Sequence, residues 1–409
     1  MAATLTTLNP ALQRIWTQDH LESQLYQDTP FLSKIEKTKR YSIGELARVP
    51  LHTSRNGGYT ALPDGGGTLN TAGNQGLGKA EYTYTHHHVP IALQGDVIDQ
   101  TSSNSLSIAN AVDTEVNGAL TDLKRNLQRQ LYLNGDALIA RCKASDTNDV
   151  DMNYSGVEAI ERGWIYVGMQ VDVGTTANEV LRQDGETVTG FLASDSFTTG
   201  SAETAEGTSD YVSHKNARSG TTSYEMNGLR NIVSTTADLG GLAVASADYW
   251  KAAANDTTSQ ALTLDLLMTQ EQNIHQKTGK KSNFILMGLK QERKFYNLLQ
   301  QQVRYGGDNQ IDAGDAEAPK WRGQKIFVDP DCWDEDVYQG QLEHLFILAL
   351  DKPYWANHHT GGDILVWSQG TDSYVSKVTY RMQVGTNRRN AFARLGATVD
   401  LSATASGLT

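Results

Sequence analysis

The sequence predicts an α+β protein built from several parts rather than around one core. Three features carry that reading. Its 409 residues exceed what a single core serves, about 250–300. Two strand patterns flank a long Gly-rich connection, and a long amphipathic helical pattern follows them directly. The second half then mixes short strands with helices, with no repeat at a fixed period.

The elements follow in order. Residues 9–27 read as a short helix: Asn9 caps it, Pro10 suits the first helical position, and Leu12, Ile15, Trp16 and Leu25 fall near helical spacing. Pro30 stops it. Trp16 and Phe31 are large apolar groups on an arm that cannot bury them against itself, so the arm must lie on another surface. Residues 43–52 and 79–93 read as strands. In the second, Tyr82, Tyr84, His86 and His88 take one face, and Glu81, Thr83, Thr85 and His87 the other. Between the strands lie Asn56-Gly-Gly-Tyr-Thr-Ala-Leu-Pro-Asp-Gly-Gly-Gly67 and then Gly73, Gly76 and Gly78. A connection of about 25 residues far exceeds a hairpin loop of roughly two to five. Too poor in apolar residues to pack alone, it is either a flexible lid or an arm that orders on another subunit.

Residues 104–133 read as one helix, with Ala109, Val112, Val116, Ala119, Leu120, Leu123, Leu127 and Leu131 in one apolar stripe. Ser103 to Ser105 offer caps, and Asn134-Gly135 supplies the stop. At 1.5 Å per residue such a helix is about 43 Å long. Residues 163–215 change character: β-like runs at 164–173, 187–192 and 210–214 alternate with turns such as Asp184-Gly185 and Thr199-Gly200, a small β insertion. A helix is expected at 262–278, with Thr263 as cap, Asp265 in the first turn and Gly279 after the end. A buried-type strand at 284–287, a helix at 289–303, and strands at 325–328 and 345–350 come next. Residues 363–400 are mostly β.

Composition excludes several classes. Hydrophobic residues at 39% and charged residues at 20% rule out a disordered or collagen-like chain. Thirty-five basic against 47 acidic residues, a net charge of −12, argue against a tight nucleic-acid binder. Charge is uneven: residues 141–260 hold 8 basic and 17 acidic side chains, whereas residues 376–409 hold Lys377, Arg381, Arg388, Arg389 and Arg394 against Asp400. The acidic middle is a solvated surface or faces a different neighbour from the basic end. Cys142 and Cys332 make no disulfide framework and fit a reducing compartment. The first ten residues lack the pattern of a signal peptide, and no apolar run approaches the roughly 20 residues of a membrane span. A soluble protein kept in the cytoplasm is expected.

Catalytic motifs are incomplete. Gly73-Asn-Gln-Gly-Leu-Gly78-Lys79 nearly matches the phosphate loop G-x-x-x-x-G-K-[ST], but Ala80 follows and offers no hydroxyl to Mg²⁺. The stretch also precedes a strand, where a phosphate loop must open a helix. On a strand, His86 and His88 share a face and supply half of a zinc site. His358 and His359 lie far off in sequence, and the alternative is a hairpin stem with half-exposed imidazoles. Asp329, Asp331, Asp334, Glu335 and Asp336 crowd one loop, either a cation site without EF-hand spacing or a solvated turn. Neither cysteine has a nearby cationic partner in sequence. No residue is assigned a catalytic, cofactor-binding or metal-binding role.

The order of these pieces resembles a tailed-bacteriophage major capsid protein of the Hong Kong 97 type over nearly the whole chain. An N-terminal arm (1–41) leads to an extended two-stranded loop (42–99). The long helix then looks like the family's spine helix in a peripheral domain (100–162), followed by the β-rich insertion (163–225) and an axial domain (226–340). Residues 341–409 return to the axial and peripheral domains. Ser282-Asn-Phe-Ile-Leu-Met-Gly-Leu-Lys-Gln-Glu-Arg-Lys-Phe-Tyr296 is similar to the strand-then-helix segment of the axial domain. Trp321-Arg-Gly-Gln-Lys-Ile-Phe-Val-Asp-Pro330 looks like the later G-x-x-V strand and turn. Asn387-Arg-Arg-Asn-Ala-Phe-Ala-Arg-Leu-Gly-Ala-Thr-Val399 resembles the closing strand of the peripheral domain.

The resemblance implies a non-enzymatic shell protein. It would self-assemble as pentamers and hexamers into an icosahedral head around double-stranded DNA, in the virion capsid assembled in the host cytoplasm. It also implies a separate scaffolding protein, a portal, a decoration protein, weak contact with the packaged DNA, no membrane and no cofactor. Some family members cross-link Lys to Asn; Lys79 lies on the loop, and no partner is assigned to it. Arg388 and Arg389 are expected to soften repulsion near the genome, and the acidic insertion to face outward. The alternatives are an encapsulin-like compartment shell, and a lid-bearing metal- or nucleotide-dependent enzyme.

Overall fold

A computed structural model describes residues 31–64, 66–94, 105–143, 149–175, 181–200, 210–220, 222–245, 249–256, 258, 261–303, 320–350, 352–355, 366–368, 370 and 372–396. The expected arm helix at 9–27 with Trp16, the caps before Ser105, and His358 and His359 lie outside them. β1 (Glu36–Thr38) leads to the hairpin strands β2 (Leu46–Ser54) and β3 (Gly76–Thr83), and β4 (Thr85–Gln94) follows after one residue. Next come α1 (Ser105–Leu131) and α2 (Tyr154–Glu161). The insertion supplies β5 (Gln170–Thr175), β6 (Leu181–Ala193), β7 (Ser196–Thr199) and β8 (Asp210–His214). The rest runs α3 (Leu264–Thr278), β9 (Phe284–Met287), α4 (Leu289–Val303), β10 (Gln324–Val328) and β11 (Asp336–Gly340). It ends with β12 (Leu345–Ala349), β13 (Ser373–Thr386) and β14 (Phe392–Gly396). No helix among the described residues is long and apolar enough to cross a membrane.

Local sequence explains the helix ends. The 27 residues of α1 span about 40 Å. Ala119, Leu120, Leu123, Leu127 and Leu131 are buried along it, as the stripe requires. Past its end, Gly135 takes φ +78°, a conformation that favours glycine. Nearby, a Cβ on Gly228 would stand 1.9 Å from the Leu133 carbonyl oxygen, so only glycine lets this segment cross the helix end. In α3 the Leu266 amide donates to Thr263 Oγ1 at 3.2 Å, and Gly279 at φ 76° donates to the His275 carbonyl at 2.8 Å.

β13 organises the first large sheet. β4 runs antiparallel along Ser373 to Met382, and β12 along Met382 to Thr386. β1 adds to β12 in parallel, and the short strands Tyr354–Trp355 and Val366–Trp367 also pair with β13. α1 packs on β4. The second large sheet runs Ala254–Asp256, β14, β11, β9, β10, Lys320–Trp321. β9 is buried at all four positions because both of its faces are covered. Phe284 and Leu286 join the main core, while Ile285 and Met287 meet Leu267 of α3 and Phe295 of α4 in a second core.

Four expectations are corrected here. The single strand at 79–93 is two strands broken at Tyr84, which join different sheets. Burial changes phase at the break: Tyr82 and Tyr84 point in, then Ile91, with His86 and His88 exposed. Thr and His are compatible with either face, so hydropathy alone could not show the flip. The closing strand β14 lies between β11 and Ala254–Asp256, in the sheet of β9 rather than the sheet of α1. The sheet of the insertion borrows Ala140–Arg141 and Val150–Asp151, from before residue 163. The arm's Phe31 needs no foreign surface: fully buried, it packs 5.5 Å from Phe284 and 5.7 Å from Phe327, ring to ring.

Candidate functional site

The hairpin of β2 and β3 has a docked root and a projecting tip. Ala47, Val49, Leu51, Ala80 and Tyr82 are buried against the body. The Glu81 amide donates to the Gly240 carbonyl at 2.8 Å, and Tyr82 Oη to the Thr386 carbonyl at 2.9 Å. Beyond Leu51 the character changes. Among the described residues from 52 to 79 none is buried, and Tyr59 and Leu69 are 85% and 73% exposed. Among the described residues the tip's hydrogen bonds stay within the hairpin: Asn56 Oδ1 accepts from the Gly58 amide at 2.7 Å and the Gly73 amide at 3.1 Å, and the Asn70 amide donates to Thr60 Oγ1 at 2.9 Å. On the outer face, Glu81 pairs with Lys79 at 2.7 Å and with Arg48 at 2.9 Å, and the Lys79 ion pair holds its carboxyl below the ordinary range. A polar arm with exposed apolar groups at its end is a surface made to be covered.

The 73–79 stretch does not cradle phosphate. Gly76 to Lys79 begin a strand, and a Cβ on Gly76 would stand 2.2 Å from Ser54 Oγ, so glycine serves close strand pairing here. The histidines divide. His86 and His88 lie on one face with rings 6.3 Å apart, and His88 Nδ1 is 3.0 Å from Thr379 Oγ1. Burial, then Lys377 and the neighbouring His86 and Arg381, hold His88 below the ordinary imidazole range; burial and then Arg381 do the same for His86. His87 points the other way, and burial first, then Arg129, pushes it down to about 3. No group of three metal-ligating side chains stands together among the described residues.

The acidic loop is a junction, not a solvated turn. Asp336 is buried and accepts from Arg230 Nε at 3.0 Å, Arg394 Nη2 at 2.8 Å and Tyr338 Oη at 2.7 Å. Asp329 accepts from Gln128 Nε2 of α1 at 2.8 Å, and Asp331 from Trp164 Nε1 at 3.2 Å. Asp334 pairs with Lys290 at 2.9 Å and Arg162 at 3.4 Å. Trp333 fills the middle: its ring lies 4.6 Å from the Arg230 guanidinium and edge-on to Trp164 at 5.1 Å, and its Nε1 donates to the Tyr132 carbonyl at 3.2 Å. The loop thus locks α1, α2 and the second sheet to one another.

Other charges are also internal. Arg129 of α1 and Glu225 form a buried ion pair. Asp172 binds the amides of Gly185 at 2.7 Å and Asn216 at 2.8 Å, so part of the acidic balance of the insertion is structural. Arg389 is buried and donates to the carbonyls of Asn231, Ile232 and Trp250. Arg388 donates to the Thr278 carbonyl at 3.1 Å. The expectation that this pair faces the genome therefore fails for Arg389: its guanidinium is spent on backbone. Both cysteines are buried, and burial pushes the Cys332 thiol well up. A groove of about 1370 Å³ opens between residues 81–86 and 222–238. Its lining mixes amides and hydroxyls with His86 and the carboxylates of Glu81, Asp136, Glu225 and Asp238; Arg230 and Arg394 are held by Asp336, and Glu225 is paired with Arg129.

No protein-family model and no curated protein matches the sequence. Solved structures do match the fold. The capsid asymmetric unit of cyanophage A-1(L) aligns over 91% of this chain and 93% of that one, with TM-score 0.54 and 11% identity. The chain has a capsid fold of the Hong Kong 97 type. A chain of Mycobacterium phage Bobi aligns over 96% and 98% at TM-score 0.45 and 9% identity. The SrpI encapsulin of Synechococcus elongatus aligns over 98% and 98% at TM-score 0.44 and 10% identity. At such identities the likeness resides in the path of the backbone.

Proposed function

We propose that this chain is the major capsid protein of a tailed bacteriophage. Copies of it assemble through pentamers and hexamers into an icosahedral shell that encloses double-stranded DNA. The observation that carries the reading is the whole-chain likeness to the cyanophage capsid chain, at TM-score 0.54 over 91% of this chain. The hairpin supports it independently: its root is docked, and its tip exposes Tyr59, Leu62 and Leu69, which nothing among the described residues buries. In a shell, each contact is modest and repetition supplies stability. Scaffolding, portal and decoration proteins belong to the same reading.

Electron microscopy of purified particles tests it. Closed shells containing double-stranded DNA are expected; shells filled with protein cargo would transfer the chain to the compartment class. Deleting residues 56–75 should leave a folded monomer with unchanged circular dichroism that no longer closes shells. Normal particles from that deletion would refute the role given to the tip.

A further inference from the structure

Asparagine stands directly before glycine at four places in the chain, Asn56, Asn117, Asn134 and Asn227. Such a pair can react with itself. The glycine nitrogen closes a five-membered ring on the asparagine side-chain carbonyl carbon, and glycine has no Cβ to obstruct the approach. Three of the four are held against this. Asn117 lies inside α1, where the next amide is committed to a helical hydrogen bond. Gly135, after Asn134, is wedged against the neighbouring chain: a Cβ there would stand 2.9 Å from Asn227 Cα. The Asn227 side-chain oxygen accepts from Asn231 Nδ2 at 3.3 Å, and a Cβ on Gly228 would stand 1.9 Å from the Leu133 carbonyl oxygen.

Asn56 is the exception. It is exposed in the hairpin tip and is followed by Gly57 and Gly58. Its Oδ1 accepts from the Gly58 amide at 2.7 Å, which folds the side chain back over the Gly57 peptide, and from the Gly73 amide at 3.1 Å. Amide donors at about 2.7–3.1 Å are placed to stabilise an oxyanion as it forms. The returning chain meets the reacting atoms closely. A Cβ on Gly73 would stand 2.6 Å from Asn56 Oδ1, 3.4 Å from Asn56 Cγ and 3.0 Å from the Gly57 nitrogen. Electrophile, nucleophile and oxyanion donors therefore share one small space. Among the described residues no backbone acceptor takes the Gly57 amide proton.

We propose that Asn56 is a self-modifying site: the Gly57 nitrogen attacks the Asn56 side-chain carbonyl while the Gly58 and Gly73 amides stabilise the oxyanion. Hydroxide takes the Gly57 amide proton, and the nitrogen bonds to Asn56 Cγ. The Cγ–Nδ2 bond then breaks, and Nδ2 leaves as ammonia with a proton from water. A second water opens the cyclic imide, its hydroxyl going to the carbonyl carbon and its proton to the nitrogen. Opening at Cγ gives an aspartate on the original backbone. Opening at the main-chain carbon gives an isoaspartate, which adds one methylene to the backbone and displaces the acceptor shared by Gly58 and Gly73. Either product puts a carboxylate in the tip, and the second loosens its clasp. The proposal concerns the chemistry of the free chain and does not depend on the shell reading.

The experiment incubates the full-length protein in mildly alkaline buffer and follows all four asparagines by peptide mapping with isoaspartate detection. Asn56 should convert about tenfold or more faster than Asn117, Asn134 and Asn227, and faster than the same asparagine in a synthetic peptide of residues 53–60, which has the sequence without the Gly73 donor. Gly73→Ala keeps the Asn56-Gly57 sequence but sets a methyl against Oδ1 and displaces that donor. It should slow conversion about tenfold, with circular dichroism unchanged because the tip belongs to neither core. An Asn56 that stays intact, a rate no higher than that of the peptide, or an unslowed Gly73→Ala overturns the proposal. The peptide comparison stands even if Gly73→Ala disturbs the hairpin.

Discussion

Replacing Asp336 with alanine would leave two guanidinium groups buried without a counter-charge. Its carboxylate is 1% exposed and accepts three hydrogen bonds, two of them from Arg230 and Arg394. Removing one member of a buried ion pair costs about 3–5 kcal/mol, because the remaining charge stays desolvated. Arg230 keeps the Trp333 ring face, worth roughly 1 kcal/mol, which offsets part of the loss of the second arginine's partner. Asp336→Ala should therefore destabilise by about 4 kcal/mol, read by urea unfolding followed through tryptophan fluorescence. Adding Arg394→Met should recover part of that loss, since one orphaned charge disappears; a coupling of about 2 kcal/mol is expected in the double-mutant cycle. A loss below about 1 kcal/mol, or strict additivity, would refute the description of the loop as a charged lock. The pH dependence follows from the same site. Burial alone would raise the Asp336 carboxyl, but Arg230 and then Arg394 outweigh it and hold the group below its ordinary range. Its contribution is complete above the unfolded-state value and is lost as pH falls through the folded one. Asp336→Asn should lack that acid-limb component.

Four further outcomes follow. Burial pushes His87 and His214 down to about 3, so the unfolded chain binds their protons first as pH falls below about 6.5. Stability should drop by about 2 kcal/mol per histidine between pH 7 and pH 5, and His87→Phe should flatten that slope in denaturation curves. Trp333→Ala should cost about 3–5 kcal/mol through its cavity and the lost ring contacts, measured by the unfolding midpoint. Asn56→Ala should leave the unfolding midpoint nearly unchanged but hasten proteolysis within residues 56–75, because Asn56 closes the tip through two amides. Neither Cys142 nor Cys332 should react with a thiol reagent in the native state, and both should react after denaturation.

Much of the element order was legible because local chemistry fixes it. The cap at Thr263, the left-handed glycine at 279, the stripe of α1 and the all-buried β9 are each properties of a few neighbouring residues. The projecting tip was legible for a related reason: a Gly-rich stretch with scattered apolar groups has no means to pack alone. The docked root was not, because its partners at 239–242 and 386 lie more than 150 residues away in the chain. Arg129 could have been noticed, since it falls between Leu127 and Leu131 on a buried helix and so requires a buried acid. Nothing local identified that acid as Glu225.

The sequence alone determined much of the segmentation of this protein: the span of α1, the ends of α3, the all-buried β9, and the Gly-rich stretch that cannot pack by itself. These depend on backbone conformation and periodicity, which act over a few residues. Only the tertiary structure decided the role of each charge. Asp336 and Arg389 are indistinguishable in sequence from solvated surface residues, yet one locks the second sheet to Arg230 and the other caps three carbonyls. Lys377 and Arg381 share one face of the β4–β13 pair with His86 and His88. A charge interacts through space with whatever the fold brings near it, so its meaning is fixed only when distant segments meet.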